Sequence, residues 1–388
     1  MSQHPLALIN IDDLLTADQQ AVVSATRDLL QREVAPHIMD WYERGETPVR
    51  ELAKLFGQMG LLGMHLDGYG CAGLDATTYG LACMELEAVD SGIRSLVSVQ
   101  GSLAMFAIHC FGSQSQKEQW LPAMARGEII GCFGLSEPDA GSDPGSMSTF
   151  ARRDGDDWIV TGTKMWITNG HIADVAIVWA RTDEGVRGFI VPTSTAGFSA
   201  TPIKHKMSLR ASATSELVFT DMRLPSDAVL PEVNSLRGPL SCLSEARFGI
   251  VFGAVGAARD CLETAISYAQ NREQFSTPIA GFQLTQRKLA EMTSRLTTSW
   301  LLALRLGHIK DSGSIRPEQV SLGKFTNVSA ALEIAREART ILGGNGISGE
   351  YPMMRHMANL ESVLTYEGTH EVHTLVIGEA ITGSNAFR

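Results

Sequence analysis

The feature that most constrains the fold is a change in hydrophobic periodicity, from helical to strand-like and back to helical. Before residue 132 the apolar residues recur at helical spacing, and after it they alternate with the period of two that is typical of strands. From residue 247 the helical spacing returns in long segments. Because a chain of 388 residues is too long for one small core, we predict an α+β fold with three successive units.

The first unit, residues 1–131, is predicted to be an all-helical domain. Thr16 and Gln19 have the spacing of a capping box at the start of its first helix. Residues 68–73 match the dinucleotide fingerprint G-x-G-x-x-G, but no strand precedes this motif and no βαβ alternation follows it, so we interpret it as a loop between helices. The other helical patterns cover residues 49–60, 77–89 and 96–111.

The second unit, residues 132–238, is predicted to be rich in strands. Short alternating runs are separated by turn signals, which fits a small antiparallel barrel or sandwich. The unit ends between Pro231 and the boundary signal Gly238-Pro239. The predicted strands cover residues 150–153, 158–161, 165–168, 175–180, 188–191 and 217–219.

The third unit, residues 239–388, contains three long helical patterns at 247–271, 282–311 and 317–342. Long helices joined by short loops predict a helix bundle. Small residues recur at near-helical spacing in the first pattern, so a neighbouring helix can approach closely there. These residues are Gly249, Gly253, Ala254, Gly256 and Ala257.

Composition argues against several classes of function. The net charge of -11 disfavours nucleic acid as the main partner, and no run of about 18 uninterrupted apolar residues predicts a membrane span. Six scattered cysteines without C-x-x-C spacing favour reduced thiols over a disulfide frame or a zinc site. The N-terminus carries acids rather than a basic, apolar signal, so we expect a cytoplasmic protein with nothing cleaved.

The stretch TYEGTHEVH, residues 365–373, contains the best candidate for a general base, Glu367. Gly368 removes a side chain beside this carboxylate, and Tyr366 adds apolar area that would raise its pKa by desolvation. The alternative is a surface turn in which Thr369 caps a helix that starts near Glu371. The H-x-x-H pair formed by His370 and His373 lacks a third ligand, so we predict no metal site.

Three further motifs stand out: CFGLSEPDAGSD at 132–143, KMWITNG at 164–170 and ILGGNGI at 341–347. Together with TYEGTH, their order and spacing resemble the acyl-CoA dehydrogenase family of flavoproteins over essentially the whole chain. This resemblance implies an N-terminal helical domain, a middle β domain and a C-terminal four-helix bundle. It also implies FAD as the cofactor, an electron-transfer flavoprotein as the electron acceptor, and a homotetramer.

The resemblance further implies which residues bind FAD. The turn after Leu135 and Ser136 has free backbone N–H groups for the flavin edge, Trp166 offers a flat face, and Thr168 lies near the flavin N5 in the family. Glycines would let the backbone approach a pyrophosphate. Arg272 with Phe275, and Gln283 in the same group, would contact the adenosine diphosphate end of FAD from a neighbouring subunit. The expected set is Phe133, Leu135, Ser136, Gly141, Ser142, Trp166, Ile167, Thr168, Arg272, Phe275, Gln283, Leu342, Gly343, Gly344, Thr369 and Glu371.

A narrower signal comes from SGIRS at 91–95, with Glu87 before it, and from SLRASAT at 208–214. Both resemble the glutaryl-CoA dehydrogenase subfamily. An arginine in the acyl pocket can grip a carboxylate through two parallel hydrogen bonds, so Arg94 would select a dicarboxylic chain. The alternative is an exposed arginine at a helix start, paired with Glu87 or Asp90. The expected substrate-binding residues are Arg94, Ser95, Glu87, Tyr366, Ser142 and Arg247.

The resemblance also implies the reaction. Glu367 removes the α-proton of glutaryl-CoA while a hydride leaves the β-carbon for FAD, and the product then loses carbon dioxide to give crotonyl-CoA, as in lysine and tryptophan degradation. Relatives that do not decarboxylate differ near Glu87 and Tyr366, and both residues are present here. The alternatives are a dehydrogenase that does not decarboxylate, a short-chain monocarboxylic acyl-CoA dehydrogenase, an acyl-CoA oxidase and a noncatalytic acyl-CoA binder.

Overall fold

Helices form the N-terminal part of the chain in the computed structural model, which describes residues 5–387. The Thr16 side chain accepts from the backbone N–H of Gln19, and the Gln19 side chain accepts from that of Thr16, so the predicted capping box is confirmed. A π-helical stretch, Val99–Met105, joins α5 to α6 without a break. The helices are α1 (Ala17–Glu33), α2 (Ile38–Arg44), α3 (Val49–Gln58), α4 (Ala76–Val89), α5 (Ser91–Ser98), α6 (Phe106–Phe111) and α7 (Gln114–Ala125).

Two of these helices, α2 and α7, were not predicted from the sequence, and each has a physical reason. The first is a short helix whose preceding residue, His37, makes no side-chain cap. The second contains Pro122, a residue that normally ends a helical pattern. The glycine-bearing motif at 68–73 lies in the connection between α3 and α4, so its interpretation as a loop is confirmed.

The middle part is one seven-stranded half-barrel sheet. The strand order is β1-β4-β2-β3-β7-β6, and β5 pairs with β4. Two pairings, β1 with β4 and β2 with β4, are parallel, which corrects the antiparallel expectation. β1 was not predicted as a strand, and local alternation does not show that β2 pairs with the distant β4. The strands are β1 (Gly131–Gly134), β2 (Phe150–Asp154), β3 (Asp157–Thr168), β4 (Val175–Thr182), β5 (Gly185–Pro192), β6 (Phe198–Pro202) and β7 (Thr214–Leu224).

The C-terminal part is again helical. Helix α8 begins at Arg237, well before the predicted residue 247. Gly238-Pro239 was interpreted as a boundary, but Pro239 lies in the first turn of the helix, where a proline interrupts no intrahelical hydrogen bond. Two two-residue strands, β8 (Glu273–Gln274) and β9 (Thr277–Pro278), form a hairpin after it. The helices are α8 (Arg237–Asn271), α9 (Gln283–Asp311), α10 (Pro317–Leu342), α11 (Met353–Thr365) and α12 (His370–Thr382).

Helix α8 packs closely on α4, as its small residues predict. A Cβ atom on Gly256 would lie 1.9 Å from the Met84 carbonyl oxygen, and one on Gly253 would lie 2.1 Å from Glu87 Oε2. Two continuous helices, 91–111 and α8, are long and apolar enough to cross a membrane, but their most apolar windows are 83% and 72% buried inside the fold. They are core helices, and they carry two side chains of the site described next, Arg94 and Arg247.

Candidate active site

The candidate general base lies in the four-residue connection between α11 and α12. The backbone of Glu367 has φ 51° and that of Gly368 has φ 95°, so two consecutive residues adopt the left-handed region. A Cβ atom on Gly368 would lie 2.9 Å from His373 Nε2, which explains why glycine occupies this position. Thr369 caps α12 by accepting from the Val372 N–H at 3.2 Å, so the capping role considered from the sequence is also real.

The Glu367 carboxylate lies in a buried, positively charged environment. Its Oε2 atom is buried and has no hydrogen-bond partner within residues 5–387. Burial raises the pKa of Glu367, and three cations oppose that rise: Arg94, Lys324 and Arg247. A carboxylate that is buried, without a partner and of raised pKa can accept a proton from carbon.

Arg94 is fully buried, so the alternative of an exposed arginine at a helix start is wrong. Its Nε donates to Glu87 Oε2 at 2.7 Å, and Ser91 Oγ donates to the other oxygen of Glu87 at 2.8 Å. Its Nη2 donates to the Tyr366 hydroxyl, while Nη1 is buried without a partner among the described residues. The structure therefore places Arg94 and Glu87 beside the residue that precedes Glu367.

Lys324, on α10, contacts the loop that carries Glu367, and the sequence did not predict this. It is 2% exposed, and its Nζ donates to the carbonyl of Tyr366 and, at 2.7 Å, to that of Gly368. Burial lowers its pKa to about 7, although the Glu367 carboxylate acts in the opposite direction. The sequence did indicate that Lys324 is buried, because it lies four residues from both Val320 and Val328 and so on the apolar face of its helix.

Arg247, expected to bind substrate, instead contacts the backbone of the base. Its Nε donates to the Glu367 carbonyl oxygen at 2.6 Å, and burial lowers its pKa. This contact holds the loop, and the role of Arg247 in substrate binding stays a prediction. Ser95 is buried one residue after Arg94, and Ser142 is exposed in the loop that follows β1.

The motifs at 132–143 and 164–170 come together at one face of the sheet. The Met165 N–H donates to the Ser136 carbonyl at 2.9 Å, and Lys164 Nζ donates to the Leu135 carbonyl at 3.0 Å. Phe133 and Leu135 are buried in the large core cluster, Ile167 is buried in the separate cluster of the sheet, and Thr168 ends β3. Trp166, with φ 65°, leaves 62% of its surface exposed, and no atom lies within 4 Å of a Cβ built on Gly141. The exposed indole of Trp166 and the free space at Gly141 would accommodate a planar ring.

Four more of the residues expected to bind FAD form a second group. Arg272, Leu342, Gly343 and Gly344 line one cleft together with Tyr268, Ile341 and Asn345. A Cβ on either glycine would meet no atom within 4 Å, so this cleft offers a cation and open backbone to a diphosphate. Phe275 is 92% exposed, and Gln283 and Glu371 are also exposed. No hydrogen bond within residues 5–387 joins this cleft to the Trp166 face.

The two histidines of the H-x-x-H pair serve the packing of α12. His370 stacks on Phe325 with ring centroids 4.0 Å apart, and His373 Nδ1 lies 3.1 Å from Ser321 Oγ. Burial lowers the pKa of His373 to about 3. In the part of the chain that the structure describes, no group of three or more His, Cys, Asp or Glu side chains could hold a metal ion.

Comparison with known proteins identifies the class to which this fold and this site belong. Family models described as the N-terminal, middle and C-terminal domains of acyl-CoA dehydrogenase match residues 16–128, 132–222 and 237–382. The chain therefore belongs to the acyl-CoA dehydrogenase family. It is an oxidoreductase, and the fold class predicted from the sequence is confirmed.

Individual relatives narrow the comparison. A glutaryl-CoA dehydrogenase from Mycobacterium smegmatis is 66% identical, with a TM-score of 0.99 and 100% of both chains covered. A second glutaryl-CoA dehydrogenase structure from that organism, in complex with FADH2, is 60% identical with the same TM-score and the same coverage. The human mitochondrial short-chain specific acyl-CoA dehydrogenase is 36% identical over 370 residues, covering 94% of this chain and 90% of the relative.

Proposed function

We propose that this acyl-CoA dehydrogenase oxidises glutaryl-CoA and decarboxylates the product to crotonyl-CoA. The observation that carries the proposal is the Nη1 group of Arg94, a buried guanidinium donor without a partner among residues 5–387. A buried charged donor that stays unsatisfied costs free energy, and a carboxylate at the far end of the acyl chain would satisfy it. A monocarboxylic acyl chain has no group that could do so.

The balance of charge in the site supports the same substrate. The groups that act on Glu367 are three cations, Arg94, Lys324 and Arg247, and one further carboxylate, Glu87. With Glu367 ionised and Lys324 protonated, this cluster carries one excess positive charge. A substrate that brings a second carboxylate would neutralise it, and burial without such a partner is unfavourable.

In the proposed reaction, Glu367 takes the α-proton of the thioester, and Arg94 holds the distal carboxylate so that the acyl chain has one orientation. FAD is the cofactor, and it supplies the acceptor for the hydride lost from the β-carbon. The face around Trp166 and Thr168 would hold its ring, and the cleft around Arg272 and Gly343 would hold its diphosphate. The buried surroundings of Glu367 keep water from reprotonating the carbon.

Decarboxylation needs a second role for the same residues. The unsaturated product loses its distal carboxylate as carbon dioxide, and the electron pair of the broken C–C bond is delocalised toward the thioester. Glu367, now protonated, returns the proton to carbon and gives crotonyl-CoA. Glu87 and Tyr366, which both contact Arg94, surround the carboxylate that leaves.

A second candidate is a short-chain monocarboxylic dehydrogenase, the activity in the name of the human relative. Its acyl pocket would need apolar side chains where this chain has a fully buried Arg94 and Glu87. The identity of 66% to a glutaryl-CoA dehydrogenase, against 36% to the human relative, also favours the dicarboxylic substrate.

The test is to incubate the purified, FAD-loaded protein with glutaryl-CoA, butyryl-CoA and a dye acceptor, and to follow both rate and product mass. We expect glutaryl-CoA to have the higher kcat/KM and to give crotonyl-CoA with release of carbon dioxide. Accumulation of glutaconyl-CoA would contradict the decarboxylation step but not the oxidation of glutaryl-CoA. A preference for butyryl-CoA would contradict glutaryl-CoA as the substrate.

We further propose an electron-transfer flavoprotein as the acceptor and a homotetramer as the assembly, since the family resemblance covers the whole chain. Exposed apolar side chains near the β8–β9 hairpin, Phe275 at 92% and Leu284 at 75%, offer surface for a neighbouring copy. Light scattering of the holoenzyme tests the tetramer. Replacing the dye by purified electron-transfer flavoprotein tests the acceptor.

A further inference from the structure

Three consecutive carbonyl groups in the loop that carries Glu367 accept hydrogen bonds from two cations, the buried Lys324 and the partly buried Arg247. Lys324 Nζ donates to the carbonyl of Tyr366 and, at 2.7 Å, to that of Gly368. Arg247 Nε donates to the carbonyl of Glu367 itself at 2.6 Å. We propose that Lys324, together with Arg247, is a positioning residue that directs the Glu367 carboxylate toward the α-carbon of the acyl-CoA.

We call the pair Lys324 and Arg247 the clamp. The backbone conformation of Glu367 explains why the loop needs it. Its φ of 51° is in the left-handed region, where the Cβ atom of an ordinary residue is crowded, and Gly368 follows at 95°. A non-glycine residue keeps this conformation only where its surroundings fix it. The two bonds from Lys324 bracket Glu367 on both sides, so a rotation of the Glu367 backbone would break at least one of them.

The two cations that form the clamp belong to rigid parts of the fold. Lys324 lies on α10 and Arg247 lies on α8, and these two long helices pack against each other. Both residues are therefore fixed relative to one another, while the loop that they hold is only the short connection between α11 and α12. The direction of the Glu367 side chain is thus set by the helix pair.

The clamp also sets the charge that the base experiences. Lys324 faces Glu367, Arg247, Arg94 and Glu87, and it faces His373, whose pKa it helps to lower. The Lys324 charge lowers the pKa of Glu367, in opposition to the rise that burial causes. Loss of that charge would move the ionisation of Glu367 to higher pH. This inference rests on the acyl-CoA dehydrogenase activity and does not depend on the preference for glutaryl-CoA.

The experiment compares Lys324→Gln, a shorter neutral donor, with Lys324→Arg, which keeps the charge. For Lys324→Gln we expect single-turnover flavin reduction to be slower by roughly tenfold to a hundredfold, because a small misplacement of a reacting group can cost about that factor. We also expect the rising limb of kcat/KM against pH to move to higher pH, with a smaller change in KM. Lys324→Arg should keep the limb near its wild-type position and recover part of the rate.

A matched control is Lys206→Gln. Lys206 holds another loop in a similar way, since its Nζ donates to the Leu209 carbonyl at 2.7 Å and to Thr214 Oγ1 at 2.8 Å. It is absent from the groups that act on Glu367. The control should lower the melting temperature without moving the pH limb.

The proposal is overturned if Lys324→Gln behaves like the control, with lower stability but a wild-type pH limb and a wild-type rate of flavin reduction. If Lys324→Gln does not fold as the holoenzyme, Arg247→Lys decides by the same measurements. We expect slower flavin reduction with an unmoved limb, because the charge stays while the bond to the Glu367 carbonyl is lost. A wild-type rate in Arg247→Lys would then overturn the proposal.

Discussion

Arg94 donates from Nε to Glu87 Oε2 at 2.7 Å, and neither side chain has any exposed surface. An ion pair buried to this degree adds little net stability, because desolvation of both charges offsets their attraction. Removal of one partner is nevertheless costly, since the other charge stays buried alone. Such a pair therefore indicates function, because apolar residues in its place would stabilise the fold equally well. The pair keeps Arg94 charged and oriented in the site.

The first prediction concerns the base. We expect Glu367→Gln to fold and to bind acyl-CoA, but to reduce its flavin at least about a hundredfold more slowly, because a positioned acid–base group typically contributes a factor of about 10² to 10⁴. The amide keeps the shape of the side chain and cannot accept the proton. Stopped-flow bleaching of the flavin measures the rate. Bleaching at the wild-type rate would assign the base to a different carboxylate.

The second prediction follows from the sign of the pKa shift at Glu367. Burial raises this pKa above its ordinary value, and only the ionised carboxylate accepts a proton. We therefore expect kcat/KM of the wild-type enzyme to rise with pH through a pKa that is higher than that of an exposed glutamate. A pH-rate profile that stays flat from acidic to neutral pH would contradict a buried base.

The third prediction tests the close packing of α4 and α8. A Cβ atom on Gly256 would lie 1.9 Å from the Met84 carbonyl oxygen, a backbone atom that cannot move aside. We expect Gly256→Ala to lower the free energy of unfolding by about 1–3 kcal/mol or more. The control is Gly378→Ala in α12, where an added Cβ meets nothing within 4 Å and helix propensity favours alanine. Thermal unfolding of both variants should shift in opposite directions, and equal shifts would refute the packing argument.

The fourth prediction concerns His65, a buried histidine whose ring lies tilted against that of Tyr79 at a centroid distance of 4.4 Å. Burial lowers its pKa from 6.5 to about 4. The unfolded chain therefore binds the proton more readily between these values, so stability is lost as pH falls from about 6.5 toward 4. We expect His65→Leu to flatten this part of the curve, by up to about 3 kcal/mol across the window. Parallel unfolding curves for wild type and variant would contradict the shift.

Much of the fold could be predicted because its elements are long. Helices α9 and α10 have the predicted bounds to within a residue, since an apolar stripe of many turns leaves few alternatives. Short elements carry less signal, and the four-residue β1 was missed together with its parallel pairing to β4. Parallel pairing depends on distant segments, which local alternation does not describe.

The candidate site was predicted unevenly for a related reason. Glu367, Arg94 and Glu87, which the structure brings together, could be proposed from the sequence because they stand in recognisable motifs. Lys324 stands in no motif, and its role depends on carbonyl groups some forty residues away in the chain, at Tyr366 and Gly368. Its position on a buried helix face was the available signal, because a buried lysine needs partners.

The residues expected to bind FAD illustrate a second limit. The motifs around Trp166 and Gly343 were expected to bind one cofactor, and the structure places them in two groups without a hydrogen bond between them in the described residues. The sequence does not show whether the same copy of the chain or a neighbouring copy completes the FAD site. The contribution of Arg272, Phe275 and Gln283 from a neighbouring subunit remains a proposal that the tetramer measurement addresses.

The central claim is that Arg94 selects a dicarboxylic acyl chain. In Arg94→Met the apolar side chain has similar volume, so activity on butyryl-CoA should fall little or rise. Loss of a hydrogen bond to a charged group costs roughly 1.5–3 kcal/mol, and a ligand carboxylate left without its partner costs roughly 3–5 kcal/mol. We therefore expect kcat/KM for glutaryl-CoA to fall roughly tenfold to several thousandfold.

Because the variant leaves Glu87 buried without its cation, a melting curve and the double variant Glu87→Gln with Arg94→Met accompany the measurement. A general folding defect would lower both activities together, so the ratio of the two substrates is the quantity to compare. The most direct test is the ratio of kcat/KM for glutaryl-CoA to that for butyryl-CoA in wild type and in Arg94→Met. We predict a high ratio in wild type that collapses in the variant. A wild-type preference for butyryl-CoA, or an equal loss on both substrates, would contradict the account.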